Sequence, residues 1–564
     1  MIRQSIIYLL VGITALTAET FNVSNVPDLR NAFLNASTNH QHDTIILAKG
    51  TYKTTEDGFG PFDFLDNEAY DLTIQAESGL TAEDVILDGD KTDTVLISNG
   101  GRTFFLKNLT ITQGKEHGVF SWQDVEIDRC EIHHNGDKIN EEDYHGGGIA
   151  VKVLKLTNSD VSYNMSGRRG GGIDIIGFDG FDYSFIDNSY IHHNESDGWG
   201  GGINTVGHLT ITNSRISSNI AHGRGGGIRI NSGLTHINIS YSRIDHNKAI
   251  LSGACCSEKV GGAAIYGGVK IDKSRIDHNE VVKSSPESVA GIVGDSKITN
   301  TIIDHNIHGL AVSLGYNSIF INNTVADNTM PGGSANNFSQ HVVYLMGEIL
   351  NNIFYNNYAG VFIGNKSSFY NNYYDKNNMD DDGGEIYFKH NKQPGDGPVN
   401  FGSEYQLKAD NPVVINTGLN PDSAEFEEVY DRFNLPNHHY PLILPYLKAD
   451  YTNDVRVAGG TIDMGAYEYS APHADAGSDK RAQVNKPILI EGKGTGSIVS
   501  YKWEKDGNLL SDKASFEYTP DTIGIDTLTL TVTNCEGVTN TDTIKVTVSE
   551  FPPFDVPPIL YLLF

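Results

Sequence analysis

The sequence predicts an all-β chain, a long parallel β-solenoid followed by a small immunoglobulin-like β-sandwich. Three observations lead there. Fragments recur: "SRIDHN" stands at 242–247 and 274–279 with "IIDHN" at 302–306, and "GGGI" closes four five-residue fragments between 145 and 228. The recurrences share one register, with asparagines at Asn135, Asn164, Asn194, Asn219, Asn247, Asn279 and Asn306, spaced 29, 30, 25, 28, 32 and 27 residues. Near the C-terminus, "DTLTLTVT" and "TIKVTV" alternate apolar and polar residues, as paired sandwich strands do.

Elements follow in chain order. Residues 1–18 join Arg3, an apolar run from Ile6 to Leu16 and the small Ala18, the form of a cleaved secretory signal peptide. The run is too short for a comfortable membrane span, so no transmembrane segment is expected after its removal. The mature chain is acidic, with 71 Asp and Glu against 41 Lys and Arg and a formal charge of −30. That balance excludes the basic footprint of a nucleic-acid binder. Four cysteines, Cys130, Cys255, Cys256 and Cys535, make neither a disulfide framework nor a zinc spacing. A length of 564 residues exceeds one ordinary core and calls for repeats or several domains.

The repeat carries its own structural logic. Three residues before each asparagine stand Ile132, Val161, Ile191, Ile216, Ile244, Ile276 and Ile303; eight before stand Ile127, Leu156, Ile186, Ile211, Ile239, Ile271 and Ile298. Five before stand Cys130, Ser159, Ser189, Ser214, Ser242, Ser274 and Thr301, so Cys130 reads as a small inward residue. Apolar residues alternate with period two, and the parity flips at an Asn-Ser step, which predicts two strands joined by a tight bend. Turns stacked about 4.8 Å apart would align these columns as ladders, with asparagine bonding its neighbours above and below. The glycine triplets suit positive φ at another corner.

These residues carry a resemblance. The "LTITNSRISSN…GGGI" pattern is similar to the right-handed parallel β-helix of the pectin-lyase-like superfamily, in particular to bacterial surface proteins. The resemblance implies a capping helix near 26–36 before "TIILAKGTY", a first clear rung at 104–114, and rungs continuing to about 351–358. "DVRVAGGTIDMGAYEY" at 454–469 resembles the ending of such proteins, and 473–549, with "YKWEKDG" around Trp503, resembles a PKD domain. The expected organisation is 1–18 signal peptide, 19–115 cap and first turns, 116–380 regular repeats, 381–470 closing region, 473–549 PKD-like module and 550–564 tail.

Two columns are candidate sites. Asp245, Asp277 and Asp304 fall on the outward parity beside Arg243 and Arg275, and are expected as exposed ion pairs. His134, His193, His246, His278 and His305 fill the column next to the asparagines. The resemblance adds calcium as a reading of the Asp column, since lyases of this fold hold Ca²⁺ between acidic side chains of adjacent turns. The second column precedes the glycines: His145, Arg169, Trp199 and Arg224. Guanidiniums pair bidentately with carboxylate or sulfate and an indole stacks on a sugar, so this stripe is the candidate ligand site. No local motif marks a catalytic pair. The expectation is an extracellular or bacterial cell-surface protein that binds polysaccharide or surface glycan without catalysis. The alternative is a polysaccharide lyase that cleaves a uronate polymer by β-elimination, with Arg169, Arg224 or His145 as neutralizer or base.

Overall fold

The structure, a computed structural model, describes residues 18–137, 146–250 and 261–374 with short gaps, scattered positions between 379 and 466, and 472–550 with short gaps. Residues 1–17, His145, Cys255, Cys256, Cys535, the tail beyond 550 and most of 381–470 lie outside the described residues. Among the described residues no helix is long and apolar enough to cross a membrane.

The chain is all-β and most of it is a parallel β-helix. Each regular turn contributes a strand after the glycines (Ile173–Ile175, Ile203–Thr205, Ile228–Ile230; sheet I), a second (Tyr183–Asp187, His208–Thr212, Ile237–Ser240; sheet II) and a third (Tyr190–His192, Arg215–Ser217, Arg243–Asp245; sheet III). A narrow five-stranded strip (Glu195–Ser196, Ile220–Ala221 and equivalents) completes the turn. Sheet III has 13 strands; sheets I and II form one 26-stranded array because Val119–Asp128 and Ile149–Thr157 run through both. The predicted columns are the observed register, for example Leu156↔Ile186↔Ile211↔Ile239 in sheet II.

These ladders form one buried core. Toward the C-terminus aromatic residues take over the inward columns, and the Phe320, Phe354 and Phe369 rings follow one another at 6.2 and 6.0 Å. The asparagine ladder is fully buried. Asn219 Nδ2 donates to Ile191 O and to Asn247 Oδ1, both at 3.0 Å, and its backbone N–H donates to the same Oδ1; Asn247 repeats the set toward Asn279. Backbone groups at the bend are thereby satisfied in a dry interior. Cys130 occupies its serine column, taking a bond from its N–H to Ser159 Oγ, and burial pushes its thiol up to about 12.

The helix Val26–Ala36 lies across the open first end. Asn25 caps it by accepting from Asp28 N at 2.9 Å, and Val26, Leu29, Ala32, Phe33 and Ala36 are its buried face. At the other end the chain returns onto the outer face of sheet III. Met464 packs with Ile353 and Tyr373, Ala466 packs with Ile302, and Ala466 N donates to Thr324 Oγ1 at 3.1 Å. Beyond 472 a second core surrounds the fully buried Trp503. It lies between a five-stranded, mostly antiparallel sheet and two short strand pairs, His473–Asp475 with Lys493–Thr495 and Ile488–Glu491 with Ser515–Tyr518.

Candidate functional site

The glycine corner brings the predicted stripe together on three successive turns. Arg169 pairs with Trp199 in a parallel bridge, Gly170 N donates to Trp199 O and Gly200 N to Arg224 O, each at 3.0 Å. The first glycine of each triplet has left-handed φ (62° at Gly170, 66° at Gly200, 70° at Gly225). A Cβ there would meet the side chain four residues on, at 2.9 Å from Asp174 Cβ and 2.7 Å from Arg229 Cβ. The missing Cβ therefore lets a second column, Asp174–Asn204–Arg229–Tyr266, lie beside the stripe. Sequence reasoning missed this column because it holds four different residue types.

The two columns interlock. Asn204 Nδ2 donates to Asp174 Oδ1 at 2.6 Å, and Asn204 Oδ1 accepts from Arg229 Nη1 at 3.0 Å; Arg169 Nε stands 3.7 Å from Asp174 Oδ2. The Arg229 guanidinium lies 4.7 Å over the Trp199 ring, and Arg224 lies 4.6 Å over Tyr266. Burial raises the Asp174 carboxyl despite the opposing pull of Arg169, Asn204 and Arg229. Burial, then repulsion from Arg169, lowers the pKa of Arg229. Arg229 Nε is buried with no hydrogen-bond acceptor among the described residues. Arg169 and Arg229 thus flank one buried carboxyl, with Arg224 near Arg229, an excess of positive charge suited to an anionic group. Trp199 faces Arg229 and lies against Gly223, whose added Cβ would come within 2.9 Å of the indole. The indole therefore carries Arg229.

Next to the stripe on the same turns stand Glu195, Asp197 and His222. His222 Nε2 is 2.6 Å from Glu195 Oε1 and 4.0 Å from Asp197 Oδ1. The ligand atoms of all three lie within 4.8 Å of one another, a donor set able to hold a cation. The sequence signal was a Glu-x-Asp on one turn with a histidine 25 residues on, legible only once the turns are stacked.

The Asp column corrects an expectation. Asp245, Asp277 and Asp304 have no exposed side-chain area. Each accepts two hydrogen bonds from an arginine of the preceding turn: Arg215 to Asp245 at 2.8 and 2.5 Å, Arg243 to Asp277 at 2.8 and 2.5 Å, Arg275 to Asp304 at 2.9 Å twice. His246, His278 and His305, left-handed at φ 57°, 53° and 51°, fold back so that Nδ1 meets the adjacent aspartate at 2.7–2.8 Å. Their rings stack 4.9 Å apart, within 5° of parallel. Outward parity is right, but long arginines and the folded imidazoles seal the carboxylates. At Asp245 burial alone would raise the pKa, and the Arg215 and His246 bonds outweigh it, so the pKa is lowered. Both oxygens of each carboxylate are thus engaged by arginine, and one of them by histidine as well.

Neither a family model nor a curated protein matches the sequence. One similar solved structure is titled as a mannuronic acid specific polysaccharide family 6 lyase enzyme from human gut microbiota. The likeness has a TM-score of 0.23 and 10% identity and covers 57% of this chain and 89% of that one. A likeness of that size says nothing of activity or substrate.

Proposed function

We propose that the protein is an exported bacterial surface or secreted protein, ending in a PKD-like module, that binds an acidic polysaccharide through Arg169, Arg224 and Arg229 without cleaving it. The observation that carries the reading is the close set of three partly exposed guanidiniums, in which Arg169 and Arg224 both repel Arg229. A uronate carboxylate or a sulfate pairs with the exposed edges of these guanidiniums and offsets the local positive charge. Repulsion from the chain's remaining carboxylates is screened beyond a Debye length of about 8 Å at physiological salt. The test is binding of alginate, polygalacturonate and heparan sulfate to wild type, Arg229→Ala and the Arg169→Ala/Arg224→Ala double variant, with melting temperature as control. Binding of at least one polymer, weakened in both variants at unchanged melting temperature, is expected. Binding indifferent to both variants overturns the reading.

A lyase reading draws on one observation: His222, held 2.6 Å from Glu195, precedes Arg224 by two residues on the same turn. The histidine would take the proton α to a carboxylate neutralised by the arginines, the glycosidic C–O bond at the β carbon would break as the C=C bond forms, and the departing oxygen would take up a proton from solvent. Growth of ultraviolet absorbance from an unsaturated uronate, lost in His222→Ala, would establish cleavage. A flat trace with retained binding supports the non-catalytic reading.

A further inference from the structure

The corner between sheets II and III is a different part of each turn, and it holds a groove of about 880 Å³. Each turn rounds this corner on one left-handed residue: Arg129, Asn158, Asn188, Asn213, Tyr241 and Lys273 have φ between 46° and 52°. The three asparagines present a file of carboxamides. Asn188 Nδ2 donates to Asn158 Oδ1 at 2.7 Å, while Asn158 and Asn213 donate to Asp128 and Asp187 at 2.8 Å. One side is walled by Tyr190, Arg215 and Arg243, and Leu80 and Tyr451 also border the groove.

Tyr241 is the telling residue. Left-handed backbone suits asparagine and glycine, and costs a larger residue about 1 kcal/mol or more. At Tyr241 that cost goes with a ring 45% exposed and lined into the groove, with Lys273 Nζ 5.5 Å above it. An exposed aromatic ring bordering a groove is a surface on which a sugar ring can stack.

We propose that this groove is a second carbohydrate site, for a neutral, hydroxyl-rich polysaccharide strand lying along the solenoid axis. Carboxamides arrive once per turn, about 4.8 Å apart, a spacing close to one hexose of an extended chain, and each offers a donor and an acceptor to sugar hydroxyls. Tyr241 supplies the stacking face. An acidic polymer is disfavoured, because Arg215 and Arg243 are held bidentately by Asp245 and Asp277, and Glu131 and Asp160 line the other end.

The experiment is titration calorimetry of the full mature chain with cellohexaose, mannohexaose and xylohexaose, polygalacturonate serving as the acidic comparison. Tyr241→Asn and Asn188→Gly keep residues that accept left-handed backbone while removing the ligand contacts. At least one neutral hexaose binds wild type, and Tyr241→Asn weakens it roughly five- to tenfold while its melting temperature holds or rises. Asn188→Gly weakens it as well, and Arg169→Ala/Arg224→Ala leaves it unchanged. No binding of any neutral hexaose, or binding that survives both groove variants, overturns the site. Loss of neutral binding in the arginine double variant would also overturn it, by assigning that ligand to the glycine corner. Failure of polygalacturonate to bind bears on the arginine cradle alone.

Discussion

Asn247→Ala is the sharpest test of how the solenoid holds together. Asn247 is fully buried in mid-ladder. Its Oδ1 accepts the Asn219 backbone N–H and the Asn219 Nδ2, each at 3.0 Å, and its own Nδ2 donates to Ile216 O at 2.9 Å and Asn279 Oδ1 at 3.0 Å. Alanine leaves the Asn219 N–H, one Asn219 amide hydrogen and Ile216 O unanswered, while Asn279 Oδ1 keeps the residue 247 backbone N–H. Each orphaned buried group costs about 1–3 kcal/mol, so the loss comes to roughly 4 kcal/mol before any cavity contribution. Ser242→Ala removes only the acceptor for Ser214 N and the donor to Ser240 O, and should cost about 1–2 kcal/mol. Urea denaturation followed by circular dichroism measures both. An Asn247→Ala loss below about 1 kcal/mol, or one no larger than that of Ser242→Ala, would refute the claim that the asparagine ladder is the main polar fastening of the turns.

Glu348 is buried, and burial, opposed by Ser368, pushes its carboxyl up to about 7 from 4.5. A raised folded pKa gives stability that is complete below about 4.5 and gone above about 7, so wild type should lose about 3 kcal/mol across that window. Glu348→Gln should flatten that slope in melting temperature against pH, and parallel curves for the two proteins would contradict it. Asp277→Ala strands the half-exposed Arg243 and should cost about 2 kcal/mol with little change between low and 1 M salt. A cost that vanishes in high salt would return the column to exposed pairing. Cys130→Ser should stay within about 1 kcal/mol of wild type in urea denaturation, since serine fills that column on later turns. Rapid labelling of native Cys130 by maleimide would contradict a thiol pushed up to about 12.

What the sequence disclosed follows from what a ladder demands. Inward Ile and Val, the Asn and Ser bends and the glycines recur because every turn meets the same neighbour, so their spacing alone placed them. The buried state of Asp245, Asp277 and Asp304 was not legible, because it depends on how far Arg215, Arg243 and Arg275 reach across to the next turn. Asp174, Asn204, Arg229 and Tyr266 escaped notice for the opposite reason: four different residue types in one column leave no recurrence to find. Glu195, Asp197 and His222 needed the 25-residue turn to be closed before they became neighbours. His145 had a sequence rationale, but its place falls outside the described residues.

The outer column of sheet III reads Arg215, Arg243, Arg275 and then Ile302, followed by Thr324, Ile353 and Tyr373. The change to apolar residues begins at Ile302, where the returning chain lays Ala466, and Met464 covers Ile353 and Tyr373 farther on. The returning segment is therefore keyed to particular turns and not to the solenoid in general. Duplication or loss of whole turns upstream of Arg275 would leave every ladder continuous and the return undisturbed. The same event downstream would put arginine under Ala466 or leave isoleucine bare. The number of turns is thus unconstrained by the returning segment at one end of the coil and counted off by it at the other.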